Sequence, residues 1–316
     1  MKEIKAVQKA QRFLGERIVG NDQTIELLFA ALIAEGHVLL ESVPGSGKTQ
    51  LAKLFAQLMN GRFSRVQFTP DVLPSDVTGV RVYNPKTMEF ELHPGPAVTN
   101  ILLADEINRA SPKTQSSLLE VMEERQTTVD GQTIPIAPPF IVIATQNPVE
   151  TGQGTFPLPE AQLDRFLFKI DMGYPSEEEE KRILMEYQQG RPSEQVPPML
   201  SLEEILHLRK EAGKVQLEAD TLTYLLDLVR MTREKKEIER GASTRASIAL
   251  MKASQARALL KGRSYVLPDD ITFLAPSVLE HRIVLSMEGA LRRTKVEILQ
   301  DVLREVPVPV EAGYHS

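Results

Sequence analysis

The chain has 316 residues, 42% of them hydrophobic, no cysteine and no tryptophan, and a formal net charge of −6. That length can bury a full core and suits about two domains; the missing cysteines exclude disulfides and zinc–thiolate sites, and the acidic balance argues against a general nucleic-acid-binding surface. His37, His93, His207, His281 and His315 are scattered without metal-ligand spacing, and with neither a charged-then-apolar leader nor an apolar run of about 18 residues, a cytoplasmic protein without membrane insertion is expected.

After a short N-terminal helix, the pattern predicts a helix over Asp22–Glu35 and an apolar strand over His37–Glu41. The strand runs into Ser42, Val43, Pro44, Gly45, Ser46, Gly47, Lys48, Thr49 and Gln50, where a helix to Asn60 opens. A strand, a Gly/Pro turn ending in Gly-Lys-Thr and a helix are the layout of a phosphate cradle. In such a loop backbone N–H groups and the helix N-terminus face the β- and γ-phosphates, Lys48 neutralises their charge, and the Thr49 hydroxyl holds Mg²⁺. Ser42 stands where the strict pattern has its first glycine, so on the loop alone an ordinary strand–turn–helix is the competing reading.

Next come a strand over Arg62–Phe68, a hairpin over Val80–Leu92 around Asn84-Pro85, and a buried strand over Asn100–Ala104 that delivers Asp105 and Glu106. Two carboxylates at the C-terminal end of a strand sit where open α/β sheets bind ligands. Downstream of a cradle, Asp105 is expected beside Thr49, binding Mg²⁺ directly or through water, and Glu106 is expected to polarise the water that attacks the γ-phosphorus. A helix over Pro112–Glu124, a second hairpin over Thr127–Ile136 around Asp130-Gly131, and a strand over Phe140–Thr145 follow. Asn147 closes that strand, placed either to hydrogen-bond the attacking water or a γ-oxygen, or only to turn the chain before Pro148. Arg165 precedes the strand Phe166–Asp171 and is expected to face outward with no obvious partner in its own chain; most surface arginines are merely solvated. Strands alternating with helices predict a doubly wound parallel sheet.

Composition breaks at Gly173–Pro175, dividing an α/β core over 1–173 from a helical domain over 174–316. The helical patterns cover Glu177–Gln189, capped by Ser176, then Leu202–Ala212, Ala219–Arg233, Thr244–Lys261 and Asp269–Ile283. Arg245 falls in the first turn of one of them, where the macrodipole disfavours a cation unless an anion offsets it, and a phosphate partner would.

The cradle, the Asp-Glu strand, Ala144–Pro148, Leu163–Phe166 and Gly241–Arg245, in that order, resemble an AAA+ ATPase of the MoxR family. The resemblance extends to Ile18–Asn21, Asp105–Arg109, Phe156–Arg165 and Leu267–Asp270, and so to nearly the whole chain. It implies a P-loop core with a central parallel sheet and two hairpin insertions, a small helical lid, and a hexameric ring binding Mg²⁺ and ATP where subunits meet. Lys48 and Thr49 become the phosphate and Mg²⁺ residues, Asp105 and Glu106 the metal and water residues, Asn147 the first sensor, Arg165 a finger reaching a neighbour's γ-phosphate, and Arg245 the lid sensor. Val19 and Gly20, with Ile18, would flank the adenine. The implied partner is a client or adaptor protein, in some relatives one with a von Willebrand factor A domain, at times in metal or cofactor insertion. The hairpins match the insertions that place the family near magnesium chelatase subunits and replicative minichromosome helicases. Two alternatives stand beside this reading: a DNA-translocating motor, and a nucleotide-sensing scaffold with weak hydrolysis. Against the motor, Val129–Ile136 contains no lysine or arginine, and Arg81 and Lys86 in the other hairpin are offset by Glu89 and Glu91.

Overall fold

The computed structural model describes residues 2–41, 47–147, 155–188 and 196–309. They divide into two compact units, Met1–Leu208 and Arg209–Ser316. Compactness thus divides the chain later than composition does.

The first unit opens with α1 (Lys2–Gly15) and α2 (Asp22–Ile33), then β1 (Val38–Glu41), α3 (Lys48–Gln57) and β2 (Phe63–Gln67). A short α4 (Pro74–Thr78) leads into the hairpin β3 (Gly79–Asn84) and β4 (Glu89–Pro94). There follow β5 (Ile101–Asp105), a 3₁₀ turn over Ile107–Arg109, α5 (Pro112–Glu124), and the hairpin β6 (Gln126–Val129) and β7 (Gln132–Pro135). The unit closes with β8 (Ile141–Gln146), α6 (Glu160–Leu163), β9 (Phe168–Asp171), α7 (Glu177–Gln188) and the start of α8 (Leu202–Ala212).

Five strands form one parallel sheet in the order β2-β5-β8-β1-β9. The three central strands are near-continuous apolar runs because helices cover both faces: every residue of β5 and the first five of β8 are buried, whereas the edge strands β2 and β9 carry polar residues between their apolar ones. On one face Leu39, Leu102, Ala104, Val142 and Ala144 meet Leu118, Leu119 and Met122 of α5. α3 contacts β5 and β8, and α2 is buried along almost its whole length. The strands end level, with Gln67 opposite Asp105 and Glu41 opposite Gln146.

Before β5, the buried Asn100 uses its whole amide. Its Oδ1 accepts the Arg62 N–H at 3.0 Å, and its Nδ2 donates to the carbonyls of Ala137 at 3.1 Å and Pro139 at 3.0 Å. On the opposite side of β8, His37 accepts the Val142 N–H at Nδ1 and lies 3.1 Å through Nε2 from the Met122 carbonyl, which makes it a core residue.

Both expected hairpins form. In β6–β7, Asp130 and Gly131 take φ of 47° and 79°, the paired positive values that an Asp-Gly two-residue turn supplies to match strand twist. In β3–β4, Gly79 is obligatory, because at φ 116° an added Cβ would lie 2.6 Å from the His93 carbonyl. The outer part of this hairpin holds its aromatic side chains in solvent: Tyr83 and Phe90 lie against each other with centroids 5.4 Å apart, and both are exposed.

The second unit contains α9 (Ala219–Glu234), β10 (Ile238–Arg240), α10 (Thr244–Leu260), α11 (Pro268–Leu279), β11 (Val284–Leu285), α12 (Met287–Arg292) and α13 (Lys295–Glu305). Tyr224, Leu228, Leu250, Ile271, Leu274, Val278, Ile298 and Val302 are buried within it. The expected helix Asp269–Ile283 is shorter than the pattern suggested: it stops at Leu279, passes through a 3₁₀ turn at Glu280–Arg282, and gives way to β11, which pairs antiparallel with β10. A short apolar run reads alike as helix or strand.

At the start of α11, the fully buried Asp270 accepts from Arg257 at 2.6 Å, from both Arg263 η-nitrogens at 2.7 Å, and from the Leu267 N–H at 2.9 Å. Burial pushes its carboxyl up, but the Arg263 hydrogen bonds, the Leu267 N–H and the Arg263 charge outweigh it and hold the carboxyl below its ordinary value. No helix among the described residues is long and apolar enough to cross a membrane.

Candidate functional site

The level C-terminal ends of β1, β5 and β8 and the start of α3 converge on one place. Val43, Pro44, Gly45 and Ser46, together with Ser42, lie outside the described residues, so the cradle is seen from Gly47 onward. Gly47 precedes α3 at φ 81° with open space around a would-be Cβ, so its backbone conformation, not crowding, calls for glycine. Lys48 is buried and its Nζ reaches the Gln146 carbonyl at the end of β8, at 3.4 Å. Gln50, one turn position further, is partly exposed.

Thr49 and Asp105 meet as expected: the Thr49 Oγ1 donates to Asp105 Oδ2 at 3.2 Å. The other carboxylate oxygen, Oδ1, accepts from Thr145 Oγ1 at 2.6 Å, and that same hydroxyl accepts the Glu106 N–H at 2.9 Å. One buried threonine on β8 therefore sets both acidic residues. Glu106 takes a left-handed backbone, φ 57° and ψ 48°, a conformation that costs a side-chain-bearing residue about 1–2 kcal/mol. Its carboxylate lies 3.1 Å from Arg109 Nε. An unanticipated arginine, Arg65 of β2, donates to Asp105 Oδ2 at 2.8 Å and to Gln67 Oε1 at 2.8 Å.

Asn147 is buried at the end of β8, and its carbonyl accepts from Asn108 Nδ2 at 3.2 Å. Beside it, Gln146 donates to Glu41, whose carboxylate also pairs with Lys169 at 2.5 Å. Val19 is buried, its carbonyl accepting from Asn21 Nδ2 at 3.1 Å. Gly20 has φ 78°, and a Cβ there would lie 2.6 Å from the Glu179 side chain. The expected helix cap at Ser176 forms: its Oγ accepts the Glu179 N–H at 3.4 Å, and its own N–H donates to the Glu179 carboxylate at 2.7 Å.

Arg165 corrects the sequence expectation. It is not without a partner in its own chain: Nη2 pairs with Glu123 Oε2 of α5 at 3.1 Å, a contact between segments 42 positions apart that no local pattern signals. Arg245 is exposed in the first turn of α10, in the second unit. The structure thus brings Lys48, Thr49, Asp105 and Glu106 together with the end of β8, while Arg165 is held at α5. Sequence reasoning passed over Arg65 and Thr145. The only available signal for them was position: Thr145 sits level with the carboxylates on the next strand, and Arg65 precedes the end of the edge strand.

A threonine hydroxyl and a carboxylate oxygen at hydrogen-bonding distance are hard oxygen donors that suit Mg²⁺, which keeps water and phosphate oxygens for its remaining positions. No cluster of three or more His, Cys, Asp or Glu side chains suited to a metal occurs among the described residues.

Comparison with known proteins agrees with this geometry. Residues 37–168 match the ATPase family associated with various cellular activities, and residues 230–302 match the AAA lid domain. An uncharacterized protein, YeaC, of Bacillus subtilis is 51% identical over 96% of this chain and 95% of its own. Chaperone MoxR1 of Mycobacterium tuberculosis is 43% identical over 97% of this chain and 83% of its own. A crystal structure from Cytophaga hutchinsonii superposes with a TM-score of 0.89 at 38% identity, covering 98% of this chain and 96% of that one. With the cradle helix, the carboxylate strand and the helical second unit all in place, the chain belongs to the MoxR family of AAA+ ATPases.

Proposed function

We propose that this chain hydrolyses ATP with Mg²⁺ as a homo-oligomeric, hexameric ring and uses the cycle to remodel or activate a partner protein. The observation that carries the reading is the hydrogen-bonded chain Thr49–Asp105–Thr145–Glu106, which ties the start of α3 to the ends of β5 and β8. Residues 1–173 act as the nucleotide core and 174–316 as the lid. The backbone of Val43–Gly47 with Gln50 and Lys48 binds the phosphates, Val19 and Gly20 flank the adenine, and Thr49 and Asp105 hold the metal. When bound, Mg²⁺ would supply charge neutralisation for the phosphates. Glu106 orients the attacking water; to do so its carboxylate turns away from Arg109. Asn147 senses the γ-phosphate from the adjacent strand end.

Arg165 serves a neighbouring subunit's nucleotide after leaving Glu123, and Arg245 serves the lid. The client is a protein, with a von Willebrand factor A domain as the first candidate class, in the cytoplasm and without nucleic acid. The Mycobacterium relative's name as a chaperone supports this class of work.

The test separates binding from chemistry. Lys48→Ala should lose nucleotide binding, whereas Glu106→Gln should keep it and slow turnover by ~10²-fold or more, the scale of a lost base or water-positioning group. Nucleotide binding by fluorescence and phosphate release are the measurements. Unchanged turnover in Glu106→Gln would remove that residue from the mechanism.

A further inference from the structure

Asp105 carries more cationic attention than a metal ligand needs. Its side chain is 5% exposed, and Oδ2 already accepts from Thr49 when Arg65 adds a charged donor at 2.8 Å. The guanidinium comes from the opposite environment: it is 49% exposed on the edge strand β2, and it also donates to the exposed Gln67. An ion pair of which one end stays wet contributes little to stability, so packing alone gives a weak reason for it. A cation on a carboxylate oxygen does, however, alter what else that oxygen will bind, because the lone pairs are shared and the charges repel.

We propose that Arg65 is a positioning residue that occupies Asp105 Oδ2 in the metal-free state and so sets the Mg²⁺ concentration at which the nucleotide site fills. The proposal rests on the reading that Thr49 and Asp105 hold Mg²⁺. With the site empty, the guanidinium neutralises a desolvated carboxylate and keeps it pointed toward Thr49. When the metal arrives, Arg65 withdraws into solvent, which its exposure makes cheap. Arg65 thus keeps the carboxylate ordered while raising the metal concentration required.

The experiment titrates Mg²⁺ into the full-length protein with a fluorescent ATP analogue, and measures analogue affinity separately in EDTA, for the parent, Arg65→Gln, Arg65→Met and Arg65→Lys. Removing a positive charge in contact with the carboxylate strengthens its attraction for a second cation, so both neutral variants should lower the Mg²⁺ midpoint by ~10-fold or more while analogue affinity in EDTA stays within ~2-fold. Arg65→Lys keeps the charge and loses the planar fork, and should stay within ~3-fold of the parent midpoint. A midpoint that is unchanged or raised in the neutral variants overturns the proposal while leaving the metal assignment intact. If instead the parent binds the analogue equally well with Mg²⁺ and in EDTA, the assignment of Thr49 and Asp105 fails, and this proposal with it.

Discussion

Thr145 is the residue on which the two carboxylates depend, and it is fully buried with its hydroxyl used in both directions. Replacing it with valine keeps the shape, leaves the Glu106 N–H unpaired and takes a donor from Asp105. A hydrogen bond to a charged group is worth about 1.5–3 kcal/mol, and the left-handed backbone at Glu106 loses the contact that holds it. We expect Thr145→Val to lower kcat ~10-fold or more with ATP affinity within ~3-fold, since the effect falls on Glu106, the group proposed to position water. Thr145→Ser should restore turnover. Steady-state kinetics with a thermal melt distinguishes this from general destabilisation. The sequence made Lys48, Thr49, Asp105 and Glu106 legible because the loop and the strand end are local patterns. It left Thr145 and Arg65 hidden because their roles come from neighbours across strands, and it left Arg165 apparently unpartnered because Glu123 is distant in sequence.

Among the elements, the parallel strands and both hairpins could be read from apolar runs and turn residues, the Asp130-Gly131 turn most directly. The end of α11 could not, since Glu280–Arg282, read as helix, tighten into a 3₁₀ turn before β11 pairs with β10. What anchors the start of α11 is Asp270. Its folded carboxyl lies below the ordinary value of 3.8, so the stabilisation it brings is fully present above about pH 4 and is lost as pH falls through the folded value. Melting temperature measured from pH 6 down to pH 3 should therefore drop more steeply in the parent than in Asp270→Asn. Asp270→Ala should cost about 3 kcal/mol near neutral pH, the lower end for breaking a buried pair, because Arg257 and Arg263 keep some access to water. An equal acid slope in parent and Asp270→Asn would show that other carboxylates govern the acid limb.

For the whole molecule, the proposed ring gives Arg165 its test. A finger of this kind can be worth ~10³–10⁵ in rate, so Arg165→Ala should bind ATP and hydrolyse it poorly. Mixed with Lys48→Ala, it should regain part of the activity, because an intact cradle on one subunit can meet an intact finger on the next. Glu123→Gln, which releases Arg165, should leave the parent's activity undiminished. No recovery despite confirmed subunit exchange would refute the assignment in trans. The alignment of the sheet carries one more consequence. β5 is apolar on both faces, so sliding it by one residue against β2 and β8 would exchange one set of buried hydrophobic side chains for another, and the apolar pattern by itself resists such a slip only weakly. The polar residues at its two ends resist it: Asp105 through Thr145, and Asn100 through the backbone of Arg62, Ala137 and Pro139. Asn100 lies about 16 Å from the carboxylates at ~3.3 Å per residue, yet it acts as the peg that stops the strand from sliding and carrying them out of line with Thr49.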